Sequence, residues 1–401
     1  MEVKFTPSQQ RAFETLDEFC KSDISKDQNK NEIILTGSPG YGKSFLIKEL
    51  KNKFNNNIVI CATTNKAANL INGVTIYSFL GLTLKDDYSQ GKSVINYENA
   101  QYVHDEIVVV DECSMINKEL FYAMHTYMKQ CKIIYVGDYY QLPPVNNDDF
   151  SIFNLGIKML ELTEPCRTDK EDILKLINTL KNGIDNQSVY KNFTQSDNIK
   201  IIDSEEELNN LLKDFDFKTD KCLSYTNKKV ESLNYRIREL QNKSHRYGVD
   251  DYIVCKSAVP AFIDGHNYLT KIESVSRIVK VISDRKDECS TIKLSNGGIF
   301  KAFLVPFKYT ENLKSLAKIA QDEKNPVERK KKWGKYFDFK NHVLDIRDIY
   351  SSTVHSAQGS TYNNVYIDLK DLYICSKKEE LARLLYVAVS RAKNNIYLIN
   401  L

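Results

Sequence analysis

The stretch ILTGSPGYGKSF, residues Ile34 to Phe45, decides how this chain is read. Apolar and β-branched residues lead into it as EIILT, and a helix-compatible run, FLIKELKNKF, leads out. Between them Gly37, Ser38, Pro39, Gly40, Tyr41, Gly42, Lys43 and Ser44 fit the spacing GxxxxGKS of a phosphate loop set between a strand and a helix. Glycines let the backbone curl until successive N–H groups face one anion, and the next helix adds the positive end of its dipole. In that arrangement Lys43 reaches the β- and γ-phosphates and Ser44 holds Mg²⁺. Only the backbone of Tyr41 is needed, so its ring is expected to point outward.

The bulk properties narrow the classes. A chain of 401 residues outgrows a single core, so two or three domains are expected. Hydrophobic content of 42% with 27% charge reads as globular and soluble, and no apolar run approaches the roughly 20 residues of a membrane helix. The N-terminus, MEVKFTPSQQ, lacks the apolar core of a signal peptide. Nine cysteines are scattered without a CxxC pair, which argues for reduced thiols in a cytoplasmic compartment. A net charge of +3 means that any nucleic-acid surface must be a local basic one.

Strand-like runs at 32–36, 57–63, 106–112 and 131–138 alternate with helical patterns, the signature of a parallel sheet with covered faces. The alternation returns at 221–226, 349–355, 364–369 and 395–401, so two similar α/β halves are expected. Residues 246–345 break it with short β-like runs (SRIVKVIS, STIKLS, IFKAFLVPF) and a charged helical stretch. Within that stretch RKKKW (329–333) reads as a solvated helix face. Residues 83–104 form a smaller polar and aromatic insert.

IVVVDEC places Asp111 and Glu112 at the carboxyl end of a buried strand, where open α/β sheets bind their ligands. Behind a phosphate loop, Asp111 is expected to hold Mg²⁺ through water and Glu112 to polarise the attacking water. VGDYYQLPPV (136–145) follows the next strand, with Gln141 able to sense a γ-phosphate.

The late segments YSSTVHSAQGSTY (350–362) and LLYVAVSRAKNNIYLI (384–399) complete a set that resembles superfamily-1 helicases. Within them it is closest to the 1B group of RecD-like, Pif-like and Dda-like phage enzymes. FTPSQQRAF looks like the Q motif, with Gln9 reading adenine; GSPGYGKS followed by Phe45 and VVVDE match motifs I and II. ATTNKAANLI and TIYSFLGL resemble motif Ia and the segment after it, and GDYYQLPPV resembles motif III. LTEPCRT resembles motif IV with Arg167 on the γ-phosphate, and SYTNKKVESLNYRIR motif IVa. STVHSAQGST resembles motif V, with Gly359 at the nucleotide, and YVAVSRAK motif VI, with Arg391 as an arginine finger. Thr63, Tyr77 and Ser356 depart from the family's usual proline, histidine and lysine.

The resemblance implies an α/β fold of two RecA-like parallel-sheet domains. Domain 1A would span 1–170 with a β-hairpin insert at 83–104. Domain 2A would span 171–245 and 346–401, split by an SH3-like and helical insert at 246–345. It implies ATP and Mg²⁺ as cofactors and 5′→3′ unwinding of DNA by a monomer. Single strands and single/double-strand forks would be its partners, with a single-strand-binding protein as accessory, no membrane, and a host cytoplasm if phage-encoded. Phosphate donors and stacking faces for a single strand would be Thr64, Asn65, Lys66, Ser78 and Phe79 in the first half. Thr226, Asn227, Lys228, His355 and Ser356 would serve in the second. In SVINYENAQYVH a hairpin turn is expected at Glu98-Asn99, which would make the adjacent Tyr97 the wedge that parts the duplex. Two other classes share the phosphate loop: a strand-binding clamp that does not unwind and a small-molecule kinase. A helicase directed to RNA is a third alternative. DNA-stimulated ATPase and strand displacement separate them.

Overall fold

The computed structural model describes residues 4–54, 57–71, 73–87, 92–144, 150–263, 266–284 and 289–401. Val145 and parts of both inserts (88–91, 264–265 and 285–288) lie outside the described residues.

The apolar runs become buried parallel strands. In the first sheet the order is Lys158–Leu162, Glu32–Gly37, Lys132–Gly137, Ile107–Asp111, Ile58–Ala62, Val74–Thr75, every pairing parallel. Val109 stands beside Ile134 and Ile60, and Ile134 beside Ile33, so β-branched side chains form continuous rows. Such strands are covered on both faces, which is why they read as unbroken apolar runs. The outermost strand Lys158–Leu162 is mostly exposed, and its mixed KMLEL sequence carries no such signal.

Helix Pro7–Lys21 packs on this sheet through Ala12, Leu16 and Cys20. Thr6 and Gln9 close a capping box at its start, with Pro7 in the first turn. At its end Lys132, from the central strand, donates to the carbonyls of Phe19, Cys20 and Ser22. These carbonyls have no partner within the helix, so the lysine both caps the helix and fastens it to the sheet.

The second sheet has the order Ile199–Ile202, Ala392–Ile399, Tyr362–Asp368, Asp220–Ser224, Ser351–Thr353, again all parallel. Its core includes helix Glu171–Asp185, through Ile173, Leu176, Ile177 and Leu180, and helix Lys378–Val389, through Leu381, Leu384, Leu385 and Ala388. Both sheets belong to one compact unit, made of Met1–Gly81, Ala100–Leu233 and Ser351–Leu401.

The second unit comprises Leu82–Asn99 and Asn234–Tyr350. Its six-stranded sheet runs Val343–Leu344, Ile299–Ala302, Ser290–Leu294, Ser274–Ser283, Tyr252–Cys255, Ile346–Asp348, antiparallel but for the first pair. The charged stretch forms helices Lys308–Gln321 and Pro326–His342, joined through Ala320, Trp333 and Phe337. Of the RKKKW run, Trp333 is buried, while Lys331 and Lys332 pair with Glu328 and Glu323.

The smaller insert forms a hairpin, but not with the expected turn. Thr83–Asp87 pairs antiparallel with Lys92–Asn96, from Thr83 opposite Asn96 to Asp87 opposite Lys92. The chain therefore reverses between Asp87 and Lys92. Glu98 and Asn99 do form a turn, but it leads the chain out of the hairpin. Tyr97 lies at the open end of the ladder, away from the reversal. The strand propensity on both sides of Glu98 misplaced the turn, because the partner strand lies upstream of Lys92.

Candidate functional site

Strand Glu32–Gly37 delivers the phosphate loop, and helix Lys43–Lys53 leaves it. Gly40 has φ +85°, and a β-carbon there would stand 2.3 Å from Cβ of Arg167. Glycine is thus required both for the backbone angle and for the close approach. The Cys166 N–H donates to the Gly40 carbonyl at 2.8 Å, fixing the loop to the segment that carries Arg167. Lys43 Nζ folds back to the carbonyls of Gly37 (2.5 Å) and Ser38 (3.1 Å). Ser44 and Phe45 are exposed at the helix start.

Gln9 is buried, with its amide engaged inside the chain. Nε2 donates to the Tyr41 carbonyl at 3.1 Å, and Oε1 accepts from the Thr6 N–H. It braces the phosphate loop against the first helix. The ring of Tyr41 does not point outward: it is 8% exposed and packs in the first core. Lys181 covers it, with Nζ 5.4 Å from the ring centroid and 5.1 Å from that of Tyr140. The burial of a large aromatic face and a cation above it outweigh the freedom of a loop position.

Asp111 ends its strand, and Glu112 follows with φ +55°, a left-handed conformation uncommon for a side-chain-bearing residue. Thr63 supports it: its hydroxyl donates to the Glu112 carbonyl at 2.9 Å and its N–H to the Asp111 carbonyl. A proline at 63 would lose both donors, so the departure from the family pattern has a local use. Burial, and then the adjacent Asp111, push the Glu112 carboxyl up to about 7. Burial raises Asp111 as well. Lys43 is held below its ordinary value by burial, against the pull of Asp138, Glu112 and Asp111.

The second sheet contributes the positive side. Arg391, 1% exposed, enters strand Ala392–Ile399 and is oriented by the carbonyls of Val387 and Ser360 and by the Ser390 hydroxyl. Arg167, from the first half, donates to the Ser390 carbonyl at 2.9 Å. Burial, and then the charge of Arg391, bring Arg167 down to about 9. Glu112 pulls against that shift and is also the leading acidic influence on Arg391. Gly359 (φ +75°) leaves room for the Glu112 carboxylate: a β-carbon there would be 3.3 Å from Oε1. Gln358 Nε2 lies 3.4 Å from Gln141 Oε1 across the two halves.

The residues assigned to a single strand divide between the halves. Thr64 caps helix Asn65–Leu70, and Lys66 Nζ donates to the Ser356 carbonyl at 2.5 Å, joining the first-half group to the second. Ser78 pairs with Thr75, and Phe79 is half-buried. Thr226 spends its hydroxyl on Asp371 (2.6 Å), while Asn227 and Lys228 are exposed beside it. His355 is half-buried and its ring lies 6.3 Å from that of Tyr225. Tyr97 belongs to the other unit.

The charges of Arg167 and Arg391 repel in a buried place, where the low dielectric strengthens the repulsion. A polyanion relieves that repulsion, and Lys43 and the loop lie at the same place, so a nucleoside triphosphate fits. The opposing carboxylates, both raised, and the buried Glu112 Oε2, unpartnered among the described residues, fit a divalent cation such as Mg²⁺. Asp111 and Ser44 would hold it, and it would neutralise charge on the phosphates. This is the logic of a P-loop NTPase whose nucleotide lies where two RecA-like halves meet.

Residues 21–147 match the family model of an AAA domain, and residues 348–399 that of a UvrD-like helicase C-terminal domain. The ATP-dependent DNA helicase Pif1 of Campylobacter jejuni is 24% identical, over 91% of this chain and 87% of its own. The ATP-dependent DNA helicase Dda of Enterobacteria phage T4 is 23% identical, over 92% of this chain and 94% of its own. The fold matches the crystal structure of a Bacteroides Pif1 helicase in complex with ADP-AlF3 and ssDNA, with TM-score 0.57 and 16% identity. That match covers 99% of this chain and 92% of the other. Both family models and these relatives make the chain similar to Pif1/Dda-like helicases of superfamily 1B, and the solved structure shows that it shares their fold.

Sequence patterns located the phosphate loop, the acid pair and both arginines. They missed Thr63 as a support of Glu112 and they missed Arg383; Tyr386 opens the YVAVSRAK stretch but was given no role there. Both of these lie on helix Lys378–Val389 and reach the first half: Tyr386 donates to Asp138 at 2.7 Å and Arg383 to the carbonyls of Tyr139 and Gln141. No local pattern marks such contacts, which join residues more than 240 positions apart.

Proposed function

We propose that this chain is an ATP-dependent DNA helicase that moves 5′→3′ along single-stranded DNA and separates forked duplex. The observation that carries this reading is the meeting of Arg167 and Arg391, one from each half, beside Glu112. An arginine that arrives from the other half stabilises transition-state charge only when the halves are together. Hydrolysis then loosens what binding tightened. The strand-facing segments at Lys66 and Ser356 lie on opposite sides of the same junction, so opening and closing changes their spacing.

In the reaction Lys43 and the loop amides hold the phosphates. Glu112 orients and polarises the attacking water, Gln141 reports the γ-phosphate, and the arginines balance the charge that develops on the transferred group. Asp111 and Ser44 would hold Mg²⁺, which would neutralise charge on the phosphates. The insert at 83–104, whose strands Thr83–Asp87 and Lys92–Asn96 pair antiparallel, supplies the strand separator. The direction 5′→3′ rests on kinship with the Pif1 and Dda helicases. A cytoplasmic location, that of a host if phage-encoded, fits nine cysteines scattered without a CxxC pair.

The test is strand displacement on duplexes with a 5′ or a 3′ single-stranded tail, with ATP and Mg²⁺, in DNA and RNA versions. Displacement of 5′-tailed DNA alone is expected. Displacement of 3′-tailed substrates alone would reverse the direction, and ATP turnover with no displacement would leave a strand-binding clamp. Preference for RNA tails would move the substrate class.

A further inference from the structure

We propose that Arg383 and Tyr386 are positioning residues through which the second half sets the Asp138–Gln141 turn against the phosphate loop. The inference rests on the ATP-driven reading of the site above. Both residues lie on helix Lys378–Val389, three apart, and so on one face. Tyr386 is fully buried; its hydroxyl donates to Asp138 Oδ2 at 2.7 Å and lies 3.1 Å from Ser38 Oγ in the phosphate loop. The other oxygen of Asp138 accepts the Tyr140 N–H at 3.0 Å and so shapes the turn. Arg383 Nη1 donates to two carbonyls of that turn, Tyr139 at 2.5 Å and Gln141 at 3.1 Å. Its guanidinium stands 5.4 Å from the Tyr139 ring centroid. Glu379, one turn earlier, pairs with Arg383 Nε at 3.3 Å.

Three anchor points on four residues leave the turn little freedom. The buried Gln141 side chain therefore takes its direction from the second half and faces Gln358. The same helix ends at Ser390 and Arg391, so one rigid element places the arginine finger and the turn that carries Gln141. Displacing that helix would misalign both, and each part of the site is worth having only within hydrogen-bond tolerance of the phosphate. Neither residue is placed in contact with nucleotide. They act through Asp138, Ser38 and the turn backbone.

The experiment compares full-length wild type with Arg383→Ala, Arg383→Lys and Tyr386→Phe. It reads kcat and KM for ATP with and without oligo-dT, the affinity for a fluorescent ADP analogue, and the melting temperature. In Arg383→Ala and Tyr386→Phe, kcat is expected to fall by about tenfold or more, with KM and ADP affinity within about threefold of wild type. Arg383→Lys, which keeps a cation able to reach one carbonyl, is expected to lie between. Tyr386→Phe removes one oxygen and keeps the packing, so it carries the test if Arg383→Ala does not fold. Folded variants with wild-type kcat would overturn the inference, and so would a loss that falls equally on ADP affinity. Wild-type turnover that oligo-dT does not raise would overturn the helicase reading instead, and the comparison of kcat would then stand on basal turnover.

Discussion

Arg167 Nη1 donates to the carbonyl oxygen of Ser390 at 2.9 Å, and the residue after Ser390 is Arg391. One hydrogen bond thus ties the first-half arginine to the backbone that carries the second-half arginine. Arg167 is placed by the other half, while Arg391 is oriented within its own by Val387, Ser360 and Ser390.

That coupling sets the behaviour of variants at the nucleotide. Lys43→Ala is expected to abolish hydrolysis while the melting temperature holds. Glu112→Gln and Arg391→Ala should bind nucleotide within about threefold of wild type and lose about a hundredfold or more in kcat, the scale of one missing transition-state stabiliser. Single-turnover hydrolysis with a fluorescent nucleotide measures both quantities. Wild-type kcat in Arg391→Ala would remove it from the reaction.

Gly359→Ala tests the approach of Glu112. The left-handed φ of +75° disfavours any β-carbon by about 1–2 kcal/mol, and the methyl would lie 3.3 Å from Glu112 Oε1. The expected result is a modest drop in melting temperature with about a tenfold fall in kcat. A variant with unchanged kcat would show that the carboxylate works equally well from a shifted position.

His125 gives a stability effect that depends on pH. Burial alone would push its imidazole down, but the Glu32 carboxylate, 2.6 Å from Nε2, and the Phe121 carbonyl together raise it above the ordinary 6.5. A group whose folded value is raised stabilises the fold fully below its unfolded value. That contribution is lost as pH rises through the folded value. Urea midpoints of wild type should therefore fall between about pH 6 and pH 8.5 by more than those of His125→Asn. Parallel pH profiles for the two proteins would contradict the shift.

Tyr97 is 40% exposed and follows the strand Lys92–Asn96 at the open end of the hairpin. Because the chain reverses elsewhere, Tyr97→Ala should unwind forked DNA within about twofold of wild type, the range of an ordinary surface substitution. Strand displacement measured beside oligo-dT-stimulated ATPase decides it. A selective loss of displacement would restore Tyr97 as the wedge.

The sequence by itself determined what depends on near neighbours along the chain. Runs such as IVVVD and KIIYVG had to be buried strands, because an unbroken apolar run leaves neither face for water. The phosphate loop and the Asp111–Glu112 pair were legible because each pattern lies in adjacent residues at the end of a strand. The edge strands Lys158–Leu162 and Ile199–Ile202 were not legible, since half-exposed strands keep mixed sequences.

Only the tertiary structure decided what joins distant segments. Tyr41 turned inward because the first core and Lys181 supply a surface for its ring. Thr63 gained a role because Glu112 arrives beside it in the left-handed conformation. Arg383 looks like an ordinary helix residue, and Tyr386 only like the first residue of the YVAVSRAK stretch, until the fold brings the turn after Asp138 against them. The hairpin turned between Asp87 and Lys92 because pairing register, and not propensity at Glu98-Asn99, fixes where a ladder reverses. In each case the deciding free energy comes from burial and hydrogen bonding between residues far apart in the chain, and it exists only once the sheets have formed.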